Sequence, residues 1–348
     1  MLSFVLHKLL NGLLVLAGVV VVVFFLFQGF GDPARLVLGQ TGDSATIQNI
    51  RRELALDQPR WKQFVLYIND VSPVGLHSNE DIKSKGLKGF FIGGEMKVGL
   101  KVPYLRRSYQ TKKDVSDVLM EALPGTAILA LAAMIIATIV GILLGVLAAV
   151  KQNTWMDTTS IFASVLGISV PSFFMGIVLA YVFGFVCNQF TGLNMTGSLY
   201  DIDAFNGKEL HLKNLILPAI TLGIRPLAII TQLTRSAMLD VLNQDYIRTA
   251  YAKGLSKQVV IFRHALRNAL NPVITAVTGW FAELLSGAFF VEYIFGWRGI
   301  GKVTVDALEK LDFPVVMGSV LVTSLFFISV NILADLLYAW VDPRVRIK

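Results

Sequence analysis

Residues 244–273 read QDYIRTAYAKGLSKQVVIFRHALRNALNPV, a patterned polar stretch set between two long apolar ones. Asp245 suits a helix start, Gly254 a helix stop, and Ile247, Ala250 and Tyr251 recur at i, i+3 and i+4. A short amphipathic helix is expected there. Ser256 then caps a second helix, with Val259, Phe262 and Leu266 on its apolar side, running toward Pro272. The two helices make a rigid elbow. By spacing and charge alone, such an elbow fits a basic surface anchor and a docking knob equally well.

The flanks of the elbow set the class. The chain has 348 residues, 54% hydrophobic and only 16% charged, with mean hydropathy +0.63, so it is far more apolar than a soluble domain needs. A bilayer core about 30 Å thick takes about 20 apolar residues per helix. Six stretches qualify: Leu9–Phe30, Ala122–Val150, Ile161–Val186, Leu215–Leu233, Ala269–Val291 and Val315–Val341. The first lacks a small-residue cleavage site and reads as an uncleaved span. An all-α integral membrane protein with six transmembrane helices is expected, organised as a first segment 1–30, a long loop 31–121, and a five-helix core 122–348 that contains the elbow at 236–268.

Lys and Arg total 31 against 24 Asp and Glu, giving a net charge of +7. No basic-aromatic array accompanies the excess, so nucleic acid is not the reading; short loops explain it instead. On the side of the elbow stand eleven cations: Lys8, Lys151, Arg235, Arg248, Lys253, Lys257, Arg263, Arg267, Arg344, Arg346 and Lys348. Opposite are five: Lys208, Lys213, Arg298, Lys302 and Lys310. Both termini and the elbow are therefore expected to be cytoplasmic, and loop 31–121 external. Within that loop Trp61, Phe64, Val65 and Ile68 recur at helical spacing beside Arg60 and Lys62, an interfacial helix. Glycines at 75, 86, 89, 93, 94 and 99 point to an irregular, solvated excursion over 72–101.

Covalent chemistry finds no footing. His7, His77, His211 and His264 all fall outside the six apolar cores, so no Ser–His dyad forms at membrane depth. Ser169 lacks the second glycine of a nucleophile elbow, and Pro171 reads as a kink. Cys187 is the only cysteine, which rules out an intrachain disulfide. Gly296–Val303, GWRGIGKV, comes within one residue of a phosphate loop, but Val303 cannot bind magnesium and no strand precedes it. Any ATP used is bound by a partner.

Small residues recur four apart at Ala133, Ala137, Gly141, Gly145 and Ala149, and at Ser172, Gly176, Ala180 and Gly184. Such stripes serve close helix packing within the subunit or a seam with a second one. Arg225 and Glu283 fall near the middles of the fourth and fifth spans. Charges there avoid lipid, either as a buried ion pair or as groups lining a translocation pathway.

The stretch 244–273 resembles the cytoplasmic loop of bacterial ABC importer permeases, specifically the B-type subunit of dipeptide and oligopeptide transporters. The similarity extends to GDPARLVLG at Gly31–Gly39, LALDQPRW at Leu54–Trp61, LPGTAILALAAM at Leu123–Met134, SVPSFF at Ser169–Phe174 and VEYIFGWRGIG at Val291–Gly301. Where the general permease motif begins Glu-Ala-Ala, this chain has Arg248-Thr249-Ala250, similar to the peptide-type variant. The resemblance implies a type I ABC importer permease fold and ATP-driven uptake of short peptides or related small solutes by alternating access. It makes Asp245, Tyr246, Ile247, Arg248, Thr249, Ala250, Tyr251, Lys253 and Gly254 a coupling helix for an ATPase. It also implies a second homologous permease subunit, two ABC ATPase subunits that bind the ATP and magnesium, an extracytoplasmic solute-binding protein, and a place in the bacterial inner membrane. This subunit is then no enzyme and holds no cofactor. The other transport class is an ion-coupled secondary transporter with Glu283 as carrier; it lacks an inverted repeat and leaves the elbow without a purpose.

Overall fold

The computed structural model describes residues 2–28, 51, 56–203 and 207–341. The stretch Gly31–Gly39 and the tail cations Arg344, Arg346 and Lys348 lie outside the described residues. Contacts group the chain into two units, one of His7–Leu123 with Val303–Leu325, the other of Met1–Leu6, Pro124–Lys302 and Phe326–Lys348.

In the first unit, α1 (Leu2–Gln28) carries the first apolar span. It is followed by α2 (Arg60–Val71), where the interfacial helix is expected. The face that α2 buries is the one bearing Phe64, Tyr67 and Val71. These side chains close a cluster with Phe24 of α1, the Phe24 ring lying 5.0 Å from Phe64 and 5.6 Å from Tyr67. Trp61, Val65 and Ile68 remain exposed.

The expected irregular excursion over 72–101 is instead an ordered sheet. Strands β1 (Val74–Ser78), β2 (Gly89–Gly93) and β3 (Met96–Lys101) pair antiparallel in the order β1-β3-β2, with α3 (Asn79–Ser84) between β1 and β2. The glycines read as loop signals lie inside the pairing: Gly75 faces Gly99 across β1 and β3, and Gly99 faces Phe91 across β3 and β2. A two-residue alternation runs beneath them, Met96, Val98 and Leu100 against Lys97, Gly99 and Lys101. Buried Asp70 fastens the sheet to α2. It takes Lys85 Nζ at 2.8 Å and Arg106 Nε at 3.2 Å on its carboxylate, while its carbonyl accepts from Lys101 Nζ.

The second unit holds the apolar core helices. Here α4 (Val115–Val150), α5 (Trp155–Ser169) and α6 (Ser172–Leu179) are followed by α7 (Lys213–Leu242), α8 (Asp245–Ala252), α9 (Leu266–Gly287) and α10 (Phe289–Phe295). The last helices, α11 (Ile300–Glu309) and α12 (Phe313–Val341), are divided between the units, Val303–Leu325 belonging to the first. A two-stranded hairpin, β4 (Tyr200–Asp203) with β5 (Gly207–Leu210), precedes α7.

Among the described residues four helices are long and apolar enough to cross a membrane: Leu6–Leu26, Val115–Val150, Lys213–Leu242 and Phe313–Ala334. Two bent pairs bring the number up to six. One of them departs from the simple kink expected at Pro171. Trp155–Ser169 and Ser172–Val186 meet at 109°, because Pro171 denies the preceding residue helical geometry and Val170 is extended, with φ −83° and ψ 129°.

The small-residue stripe of α4 is explained within the chain. Ala133 and Ala137 are fully buried in the main cluster with Leu222, Ile230 and Val273. A Cβ on Gly141 would stand 2.9 Å from Ile230 Cγ2, so the stripe is the seat of α7. In the third span, likewise, Ala180 belongs to that cluster and Gly176 lies against Thr221 and Phe295.

Candidate coupling site and translocation helices

The α8 elbow forms where the spacing places it. Ile247 and Ala250 are buried, packed into a cluster with Val146, Met238, Val260, Ile261 and Ala265. Tyr246, Arg248, Thr249, Tyr251 and Lys253 are exposed. The C-terminus closes with two reversed hydrogen bonds. Gly254 N–H donates to Tyr251 O at 2.9 Å and Leu255 N–H to Ala250 O at 3.3 Å, with Gly254 at φ +77°. This pairing is a Schellman motif, which needs a left-handed residue after the helix cap.

Three details differ from the sequence reading. Gln244, not Asp245, is the N-cap residue; Asp245 is the first helical residue, where its charge suits the helix dipole, and its carboxylate lies 3.5 Å from Arg248 Nη1. Tyr251 does not join Ile247 and Ala250 in the core but stands 43% exposed. In the second helix, Val260, Ile261 and Ala265 are buried while Val259 and Phe262 face out. The cause is a π-helical turn over Val260–Ala265, whose wider winding shifts the phase that a 3.6-residue period would give. Asn268 Nδ2 donates to Tyr246 Oη at 2.8 Å, tying the elbow's two arms.

A further tie at this end was not legible as a motif. Arg235 on α7 donates from Nη2 to Asp157 Oδ2 at 2.8 Å and from Nε to Asp157 Oδ1, and Asn153 N–H donates to the same carboxylate at 3.0 Å. Asp157 lies in the first turn of α5, so the fork fixes the α4–α5 turn to α7.

The phosphate-loop-like segment is filled by the chain's own carboxylate. Glu292, fully buried, accepts from Gly301 N–H at 2.7 Å and Lys302 N–H at 3.2 Å. A Cβ on Gly299 would collide with that carboxylate. Trp297 Nε1 donates to Gly125 O at 2.9 Å and Ile300 N–H to Thr126 Oγ1 at 2.9 Å. The amides at the start of α11 thus serve packing, Ile300 against α4 and Gly301 and Lys302 against α10. The sequence marks the role of Glu292 only by an acid one turn before a glycine-rich helix start.

Arg225 and Glu283 lie on α7 and α9, which pack side by side. Both are exposed within the single chain. The Arg225 guanidinium lies 5.5 Å from the centre of the Trp280 ring, one helical turn before Glu283.

Apolar helices long enough to cross a membrane, two of them as bent pairs, with a capped polar elbow between two of them, give the chain the build of a membrane permease. The chain belongs to the family described as "Binding-protein-dependent transport system inner membrane component", which matches residues 141–347. Residues 1–130 match "Binding-prot-dependent transport system membrane comp, N-term". It is 34% identical to the dipeptide transport system permease protein DppB of Alkalihalophilus pseudofirmus, over 99% of this chain and 100% of that one. It is 36% identical to the glutathione transport system permease protein GsiC of Escherichia coli K12, over the full length of both. The fold is similar to a chain of the MetNI methionine ABC transporter in an inward-facing form, with TM-score 0.51 and 14% identity, covering 65% of this chain and 97% of that one. The protein is therefore the transmembrane permease subunit of an ABC importer, a multi-pass membrane protein whose ATP hydrolysis belongs to a separate subunit. An ion-coupled carrier is not what these relatives are.

Proposed function

We propose that α8 is the coupling helix through which an ABC ATPase drives solute import by this chain. The observation that supports this best is the division of α8 into a buried half, Ile247 and Ala250, and an outward half, Tyr246, Arg248, Tyr251 and Lys253, held rigid by the Gly254 cap. A helix anchored on the spans by one face and free on the other transmits a push from a docked partner to α7 and α9. Exposed Val259 and Phe262 extend the docking surface.

In this reading a second homologous permease completes the passage, and two ATPase subunits bind ATP and magnesium on the cytoplasmic side. The excess of cations around the elbow supports cytoplasmic termini in a bacterial inner membrane. The sheet-bearing loop between α1 and α4 then faces outward, toward an extracytoplasmic binding protein that delivers the solute. The solute is a short peptide, a class supported by relatives named for dipeptide and glutathione transport. Arg225 and Glu283 line the pathway on adjacent helices.

The test is cross-linking from cysteines at Arg248 and Tyr251 in a Cys187→Ser background of the assembled transporter. Capture of the ATPase is expected; an active transporter from which neither site captures it overturns the assignment. Ile247 is unsuitable for such a probe because it is buried.

A further inference from the structure

Among the described residues, one face of the first unit's sheet has no partner. Its cross-strand rows are Val74–Leu100–Phe90 and Leu76–Val98–Ile92, with Met96 beyond them. All seven side chains are between 49% and 71% exposed. A row-by-row apolar face of this kind, without a charge in it, does not remain in water.

Where the sheet is rooted indicates what covers it. The apolar window of α1 ends at Leu26, and Phe24 and Phe25 in its last turn hold Phe64 of α2 at 5.0 and 5.5 Å. Val71 and Leu105 pack on the same cluster. Val74 follows Val71 by three residues, and Leu105 follows Val102 by three. Tyr104 N–H, donating to Asp70 O at 2.9 Å, holds the returning chain against α2. At about 3.3 Å per residue, the first row starts within about 10 Å of the end of the span. The polar layer on each side of a bilayer core is itself about 5–8 Å deep. The exposed side of α2, next to this root, carries Trp61, Val65 and Ile68, an aromatic and two aliphatics suited to that layer. Exposed Arg60, Lys62 and Lys88 flank the apolar residues as phosphate partners.

We propose that the apolar face of the β1-β3-β2 sheet, together with Trp61, Val65 and Ile68 of α2, lies on the bilayer, immersed in the headgroup and upper acyl region of the leaflet at which α1 ends. The sheet is then a membrane-seated platform beside the first span rather than a free aqueous domain. Which leaflet this is does not enter the argument, so the assignment is independent of the proposed orientation.

The experiment uses the assembled transporter in phosphatidylethanolamine–phosphatidylglycerol nanodiscs. Nitroxide labels are placed singly by Phe90→Cys, Phe91→Cys and Ile92→Cys, in a Cys187→Ser background. Leu14→Cys on α1 is the lipid reference and Glu95→Cys in the β2–β3 turn the water reference. At 90 and 92 the ratio of oxygen to water-soluble nickel accessibility should approach that at 14 and exceed that at 95 several-fold, with low accessibility to both at 91. A ratio at 90 and 92 equal to that at 95 means an aqueous face and overturns the proposal. Low accessibility to both reagents there means a protein partner and overturns it equally. A misfolded variant at 90 or 92 is recognised by its failure to assemble with the partner subunits. Phe90→Trp, which retains the apolar bulk, then replaces the label, with acyl-chain-brominated lipid expected to quench its added fluorescence.

Discussion

Arg235 and Asp157, 78 residues apart, form a two-point fork in which Nη2 stands 2.8 Å from Oδ2, with side chains only 22% and 4% exposed. Removing one member of such a pair strands a charge among apolar helices and costs about 3 kcal/mol. Asp157→Asn and Arg235→Gln should each lower the thermal midpoint of the detergent-solubilised complex. An apolar replacement of both, Asp157→Leu with Arg235→Met, should recover much of the loss because no charge is left unpaired. Equal midpoints for wild type and both single variants would show that the fork contributes nothing.

Gly254 offers a sharper test of the elbow. Its φ of +77° is the reason for glycine there, since a Cβ would meet nothing within 4 Å. Gly254→Val should therefore act through the backbone alone, at about 1–2 kcal/mol for the left-handed conformation. We expect reduced co-purification of the ATPase and reduced ATP-driven uptake at normal membrane levels of this chain. Gly254→Asn should be much milder, because asparagine tolerates the left-handed region, and Lys257→Ala should change neither readout. Indistinguishable valine and asparagine variants would refute the conformational account.

These residues show what a sequence makes legible. Spans and α8 depend on local periodicity, and Leu9–Phe30 or Ile247 with Ala250 announce themselves. The sheet was hidden because its glycines sit inside the pairing, Gly75 against Gly99, where local rules read them as breaks. A 3.6-residue spacing puts Val259 and Phe262 on the apolar face, whereas the π-helical turn at Val260–Ala265 changes the winding without changing composition and turns them outward. The Asp157–Arg235 fork and the Glu292 cap are long-range pairings, and no spacing within one segment encodes which carboxylate meets which donor.

Arg225 and Glu283 separate a structural from a functional role. If both line the pathway, Arg225→Gln and Glu283→Gln should leave assembly with the partner subunits intact while lowering uptake or changing the preferred solute. Trp280→Leu should weaken the positioning of Arg225 only modestly, since a cation over a half-buried ring contributes about 1 kcal/mol. Loss of assembly in both charge variants would instead mark a structural role, and unchanged uptake in both would remove them from the pathway.

His77 gives the sheet a pH dependence whose sign follows from its surroundings. Its ring is buried on β1, with Nδ1 3.5 Å from Asn69 Nδ2. Burial first, then the positive charges of Lys101 and Lys85, hold its pKa below the usual histidine value, against the opposing pull of Asp70 and Asp81. In the opened sheet the ring returns to about 6.5. Below that pH the open state binds a proton that the closed state resists, so stability falls as pH drops from about 6.5 toward the folded pKa. Above about 6.5 this group has no effect. Lys101, also lowered by burial, adds a slope only on the alkaline side, up to about 10.5. Amide exchange of the peptide covering Val74–Ser78, corrected for intrinsic rates, should therefore lose protection between pH about 7 and about 5, by at most about tenfold per pH unit. His77→Gln should abolish that acid-side slope; if the variant keeps it, the proton is taken up elsewhere and the assignment to His77 is wrong.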